Sequence, residues 1–123
     1  LGYTCGNDVS AREWQRGDGQ WWRAKSSDTF SPAGPFIVTD LDPNNLHLKA
    51  RVNGTEVQSE STQLFLFNLQ TVISHVTKAM TLEPGDMIFT GTPGKPGELK
   101  DGDVCEIEIE GIGILRNPVK NET

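Results

Sequence analysis

The sequence predicts a β-rich α+β fold with one principal helix. Three observations carry that prediction. Leu46 to Val52 alternates apolar and polar side chains and runs into Asn53-Gly54. Cys105 to Glu110 alternates in the same way. A single apolar stripe with helical spacing lies between them, at Leu69, Val72, Ile73, Val76 and Met80.

The elements follow in chain order. A strand through Tyr3-Thr4-Cys5 opens the chain, and a helical turn is drawn over Asn7 to Gln15. Gly34-Pro35 introduces a strand at Phe36-Ile37-Val38-Thr39, and Leu41 to Asn45 is a turn rich in Asp, Pro and Asn. In the next strand Leu46, Leu48, Ala50 and Val52 share one face, and His47, Lys49 and Arg51 share the other. Asn-Gly satisfies the two positive φ angles of a type I′ turn, so Leu46–Val52 is expected to pair with Thr55–Ser59. The helix is capped by Thr62 or Asn68 and ends by about Leu82, because Pro84-Gly85 cannot continue it. Met87-Ile88-Phe89-Thr90 is expected to be a strand entering the Gly91-Thr92-Pro93-Gly94 loop. Asp101-Gly102-Asp103 turns into the last alternating strand, whose Glu106, Glu108 and Glu110 form a solvated face.

The chain has 123 residues, enough for one hydrophobic core. Its 11 basic and 17 acidic residues leave a net charge of −6. Without a Lys/Arg cluster, that balance argues against nucleic acid and against an anionic membrane as partners. No apolar run is long enough to span a bilayer. The opening Leu-Gly-Tyr-Thr-Cys-Gly has neither a basic flank nor an apolar core, so no secretory leader is expected and a cytoplasmic location is. Cys5 and Cys105 stand far apart and outside zinc spacings, which argues against a disulfide scaffold or a zinc module.

Three segments hold candidate chemistry. On a helical turn, Asp8, Arg12 and Gln15 would share a face at spacings of four and three. Asp suits a hard divalent cation and Arg a substrate carboxylate; an Asp–Arg pair that only caps a helix explains the same spacing. Lys25, preceded by Trp21 and Trp22, could stabilise a developing oxyanion or enolate; a solvated lysine beside packing tryptophans is the plainer reading. In Thr90-Gly91-Thr92-Pro93-Gly94, the glycines let backbone amides and a hydroxyl approach an anion. A plain β-turn fits equally. His47 lies on the outer face of the hairpin and His75 within the helix; neither is given a catalytic role.

Gly2 to Gln15, Ala24 to Pro35, Val52-Asn53-Gly54, Leu82 to Asp86, Thr90 to Pro93 and Ile109 to Gly113 resemble the fumarylacetoacetate hydrolase family in order and spacing. The small acylpyruvate hydrolases, oxaloacetate decarboxylases and 2-hydroxyhepta-2,4-diene-1,7-dioate isomerases are the most similar members. The resemblance implies a mixed β-sheet rolled around a site for Mg²⁺ or Mn²⁺, which Ca²⁺ would also fit in a crystal. It implies Asp8 as a metal ligand, Lys25 as the catalytic group facing the substrate, and Arg12, Gln15 and Thr92 as substrate contacts. It further implies a small 2-oxo or 2,4-dioxo acid as substrate, and a homodimer.

The family's Glu-x-Glu ligand pair and its His–Glu dyad belong upstream of the Asn-Asp motif and are not found here. Glu106-Ile107-Glu108 has the spelling of the pair but not its place. Ala24 and Ser27 depart from the family's glycine and aromatic. Residues 1–123 are thus expected to be the C-terminal portion of one catalytic domain, incomplete at its N-terminus. The competing expectation is a non-catalytic chain that keeps the fold and the dimer interface.

Overall fold

A computed structural model describes residues 1–122. Six strands and three short α-helices follow one another as β1 (Tyr3–Gly6), α1 (Arg12–Gly17), α2 (Trp22–Ser26), β2 (Ala33–Val38), β3 (His47–Val52), β4 (Thr55–Ser61), α3 (Leu69–Val76), β5 (Val104–Ile109) and β6 (Gly113–Pro118). Short 3-10 turns at Pro43–Asn45 and Thr62–Leu64 flank the β3–β4 hairpin.

Strands β1 and β2 form one sheet, and β4-β3-β5-β6 form a second. Every pairing is antiparallel. The β-rich α+β class therefore holds, while the mixed sheet implied by the resemblance is not present among the described residues. The two sheets meet over a small core of Cys5, Ala50, Cys105, Ile107, Ile112 and Leu115, edged by Tyr3, Val38, Leu41, Leu99 and Ile109. Cys5 and Cys105 are free buried thiols, and burial pushes the pKa of each upward.

The hairpin forms as its turn chemistry requires. Asn53 (φ 52°) and Gly54 (φ 78°) occupy the two positive-φ positions. The Asn53 side chain also accepts from the Val104 amide at 2.9 Å and donates to Asp103 at 2.7 Å, which ties the turn to the start of β5. The Lys100 amide, and after it the Asn53 bond, hold the Asp103 carboxyl below its ordinary pKa. The pairing contains one irregularity. Arg51 faces Glu56 while Ala50 faces Gln58, so Val57 is the extra residue of a β-bulge.

Helix α3 starts where expected, with the Asn68 side chain accepting from the Thr71 amide at 2.8 Å. It stops at Val76, short of the expected limit.

Two expectations fail. Met87–Thr90 is not a strand, because no backbone hydrogen bond joins it to another segment among the described residues. Conversely, β6 was not foreseen. Its Gly113-Ile114-Leu115 sequence has adjacent apolar residues instead of an alternation, yet it pairs along the full length of β5.

Candidate functional site

The candidate site is built on the segment that follows β1. Asn7 is buried; its amide N–H donates to the Pro32 carbonyl at 3.0 Å and its side chain donates to Asn117 at 3.3 Å. With Asn7 fixed inside, Asp8 turns outward. The Ala11 amide donates to the Ala24 carbonyl at 2.9 Å, and Ala24 is fully buried. That bond joins the loop before α1 to α2 and brings Asp8 and Lys25 together across it.

Lys25 Nζ donates to the Asp8 carboxylate and, at 3.1 Å, to the Ser10 hydroxyl. Ser10 Oγ in turn donates to the Asp8 carbonyl at 3.2 Å. An anionic oxygen, an ammonium and a hydroxyl therefore meet in one half-exposed cluster. Ser31 Oγ donates to the Lys25 carbonyl at 2.8 Å and fixes the end of α2. The same two helices are clamped on the outside by Arg23, which holds Asp18 with bonds of 2.6 and 2.8 Å and lies 5.1 Å from the centre of the Trp14 ring. The guanidinium keeps the Asp18 carboxyl below the usual carboxylate range.

The expected sharing of one helical face by Asp8, Arg12 and Gln15 is corrected. Helix α1 begins only at Arg12, so Asp8 lies in the preceding loop and meets Lys25 instead. Arg12 and Gln15 do meet, with the guanidinium donating to the amide oxygen. Trp14, Trp21 and Trp22 are exposed, so none of them is a core residue.

Thr92 is held by a residue that the sequence did not single out. Gln58 Nε2 donates to Thr92 Oγ1 at 2.9 Å and also to the Pro93 carbonyl. The start of that loop lies against the site's own strand. A Cβ placed on Gly6 would stand 2.6 Å from the Phe89 ring, so Phe89 packs on the end of β1, two residues before Asp8.

Among the described residues no three His, Cys, Asp or Glu side chains come together as a metal group. Glu106 and Glu108 of β5, and Glu110 just after it, are used otherwise. Glu108 pairs with Arg51, Glu106 with Arg116 at 3.4 Å, and Glu110 accepts from the His47 amide at 3.3 Å. Their exposed face is thus a lattice of cross-strand charges, and Arg51 holds the Glu108 carboxyl below its ordinary pKa. His47 stands on that face, with Nε2 3.2 Å from the Ser59 hydroxyl.

Residues 1–120 match a family described as fumarylacetoacetate (FAA) hydrolase C-terminal. An uncharacterized protein of Methanocaldococcus jannaschii is 57% identical over 122 residues, which cover 99% of this chain and 52% of that protein. The mitochondrial oxaloacetate tautomerase fahd2 of Xenopus laevis is 43% identical over 131 residues, 97% of this chain and 41% of its own length. The crystal structure of 5-carboxymethyl-2-hydroxymuconate delta-isomerase from Mycobacterium smegmatis superposes with a TM-score of 0.97 at 53% identity, over 100% of this chain and 49% of that one. The chain thus spans about half the length of these proteins. No helix among the described residues is long and apolar enough to cross a membrane. With a match that runs over nearly every residue and a fold shared at this similarity, the chain belongs to the fumarylacetoacetate hydrolase family.

Proposed function

We propose that this chain is part of an enzyme that acts on a small 2-oxo or 2,4-dioxo acid by keto–enol chemistry, leading to isomerisation, decarboxylation or C–C hydrolysis. The observation that carries the reading is the Asp8–Lys25–Ser10 cluster, which sets an ammonium beside a hard oxygen donor at the edge of the fold. The names of the similar proteins, an oxaloacetate tautomerase and a hydroxymuconate isomerase, point to the same substrate class.

The donor set suits a divalent cation only in part. Asp8 supplies one carboxylate of the several oxygens that Mg²⁺ or Mn²⁺ takes, so on this chain's side the cation would be held by Asp8. When bound, it would supply Lewis-acid polarisation of the substrate's carboxylate and 2-oxo group. The chain's own residues do the rest. The Lys25 ammonium faces the oxygen on which enolate charge develops and stabilises it there. Ser10 keeps that ammonium in place. The Arg12–Gln15 pair and the Thr92 hydroxyl orient the carboxylate end of the substrate.

The test is an assay of the full-length protein on oxaloacetate and acylpyruvates, with Mg²⁺ and after chelation. Titration calorimetry should show Mg²⁺ binding that weakens by at least about tenfold in Asp8→Asn. The 123-residue chain alone should bind the ion poorly, because a single carboxylate replaces too few of its waters. Tight stoichiometric binding to this chain that is indifferent to Asp8→Asn would overturn the metal assignment.

Assembly as a homodimer belongs to the same proposal. Leu64, Leu66 and Phe67 are 65%, 94% and 67% exposed, so this apolar stretch is not buried in the chain's own core. Contiguous exposed apolar side chains mark contact surfaces. Light scattering at high micromolar concentration should give at least twice the chain mass of 13.5 kDa, and a clean monomer would reject the dimer.

A further inference from the structure

The position of Gln58 follows from the β-bulge. In an unbroken strand Gln58 would lie on the same face as Glu56, the charged side that pairs with Lys49 and Arg51. The extra residue, Val57, shifts the register, so that Gln58 stands opposite Ala50 and shares the face of that buried residue. From there its amide reaches the Thr90–Gly94 loop.

That loop has little else to hold it. From Met87 to Leu99 no backbone hydrogen bond joins another segment among the described residues. Phe89 on Gly6 and Leu99 at the core edge anchor the segment by apolar contact. The polar anchor between them is the Gln58 amide, bonded to the Thr92 hydroxyl at 2.9 Å and to the Pro93 carbonyl. The direction of these bonds matters. A hydroxyl has one proton and two lone pairs. Gln58 donates to Thr92 Oγ1 and so occupies a lone pair. The Thr92 proton is left to point away from Gln58, ready to donate to an anion.

We propose that Gln58 is a positioning residue: through the bulge-directed amide it orients the Thr92 hydroxyl as a donor and fixes the Thr90–Gly94 loop, and thereby sets the affinity for a substrate carboxylate that it does not touch. The inference rests on the reading above that Thr92 contacts the substrate.

The experiment is a double-mutant cycle in the full-length protein with oxaloacetate as probe. Gln58→Leu, which removes both bonds, should raise KM about five- to tenfold and leave kcat within about twofold, within the range that lost neutral hydrogen bonds cost. Gln58→Glu, which keeps the volume but cannot donate and turns the Thr92 proton toward itself, should raise KM at least as much. In a Thr92→Ala background, Gln58→Leu should cost less than about twofold more, because the two residues act as one unit. Backbone order parameters from NMR relaxation at Gly91, Thr92 and Gly94 should fall in Gln58→Leu, a readout that needs no substrate.

An unchanged KM and unchanged order parameters in Gln58→Leu would overturn the proposal, and so would fully multiplicative effects in the cycle. If Thr92→Ala leaves KM unchanged while Lys25→Met disables turnover, this inference falls and the oxo-acid reading stands. If no oxo acid is turned over, that reading falls, and the order parameters alone decide whether Gln58 anchors the loop.

Discussion

Replacing Lys25 by Met is expected to cost the full-length protein about a hundredfold or more in turnover, the loss that follows removal of one donor to a developing oxyanion. Its melting temperature should stay within a few degrees. The asymmetry follows from the environment of Lys25. Among the described residues its ammonium reaches Asp8 and Ser10 alone, at a half-exposed site. A solvated ion pair of this kind contributes at most about 1 kcal/mol to stability. Methionine retains the length of the stem and a comparable helix propensity within α2. What the substitution removes is the positive charge that, on the proposed function, faces the substrate. Parallel measurement of kcat and thermal unfolding separates the two effects. Equal turnover of oxaloacetate and acylpyruvates by Lys25→Met and wild type would remove Lys25 from the mechanism.

The largest effect on stability is expected at Gly111, in the short connection between β5 and β6. Its φ is +78°, and a Cβ there would stand 2.8 Å from the end of the Leu41 side chain, which edges the core. Valine meets both obstacles. A β-branched residue is strained at positive φ, and its Cβ must displace the end of the Leu41 side chain. Together these should cost about 2–4 kcal/mol. For a chain of this size that is roughly a 10 °C lower melting temperature. Gly111→Asn should cost clearly less, because asparagine tolerates the left-handed region. Equal melting temperatures for Gly111→Val and wild type would show that the connection does not hold this conformation.

How much of this could be read from the residues varied with the range of the interaction. The β3–β4 hairpin was legible because Asn53-Gly54 specifies its own turn, and α3 because Asn68 caps its first turn locally. Strand β5 announced itself by alternation between a buried and a charged face. Strand β6 did not, since its pattern is set by the partner it meets rather than by a two-sided environment. Met87–Thr90 carries the composition of a strand but lacks the backbone partner that makes one.

At the site, Lys25 and Asp8 were singled out, but not their contact. That contact depends on α1 starting at Arg12 and on the Ala11–Ala24 hydrogen bond, which no spacing rule encodes. Gln58 was missed altogether. Its role depends on a one-residue bulge that turns a side chain from one face of a strand to the other, and the sequence pattern around Val57 does not show it.

The central position of β3 also has a temporal meaning. One of its neighbours, β4, lies across a two-residue turn, whereas the other, β5, begins 52 positions after β3 ends. A hairpin with a preset turn closes in about 1–10 μs. The ladder to β5 must wait until a long intervening chain has paid its loop-closure entropy. The Cys5–Gly113 contact, separated by 108 positions, closes a longer loop still. Folding is therefore expected to run from the hairpin to the pairings between distant segments. The hairpin can stand first as a template, with one edge of β3 open, and the segment that carries Asp8 and Lys25 gains its rigid support only when β1 meets the residues around Gly113.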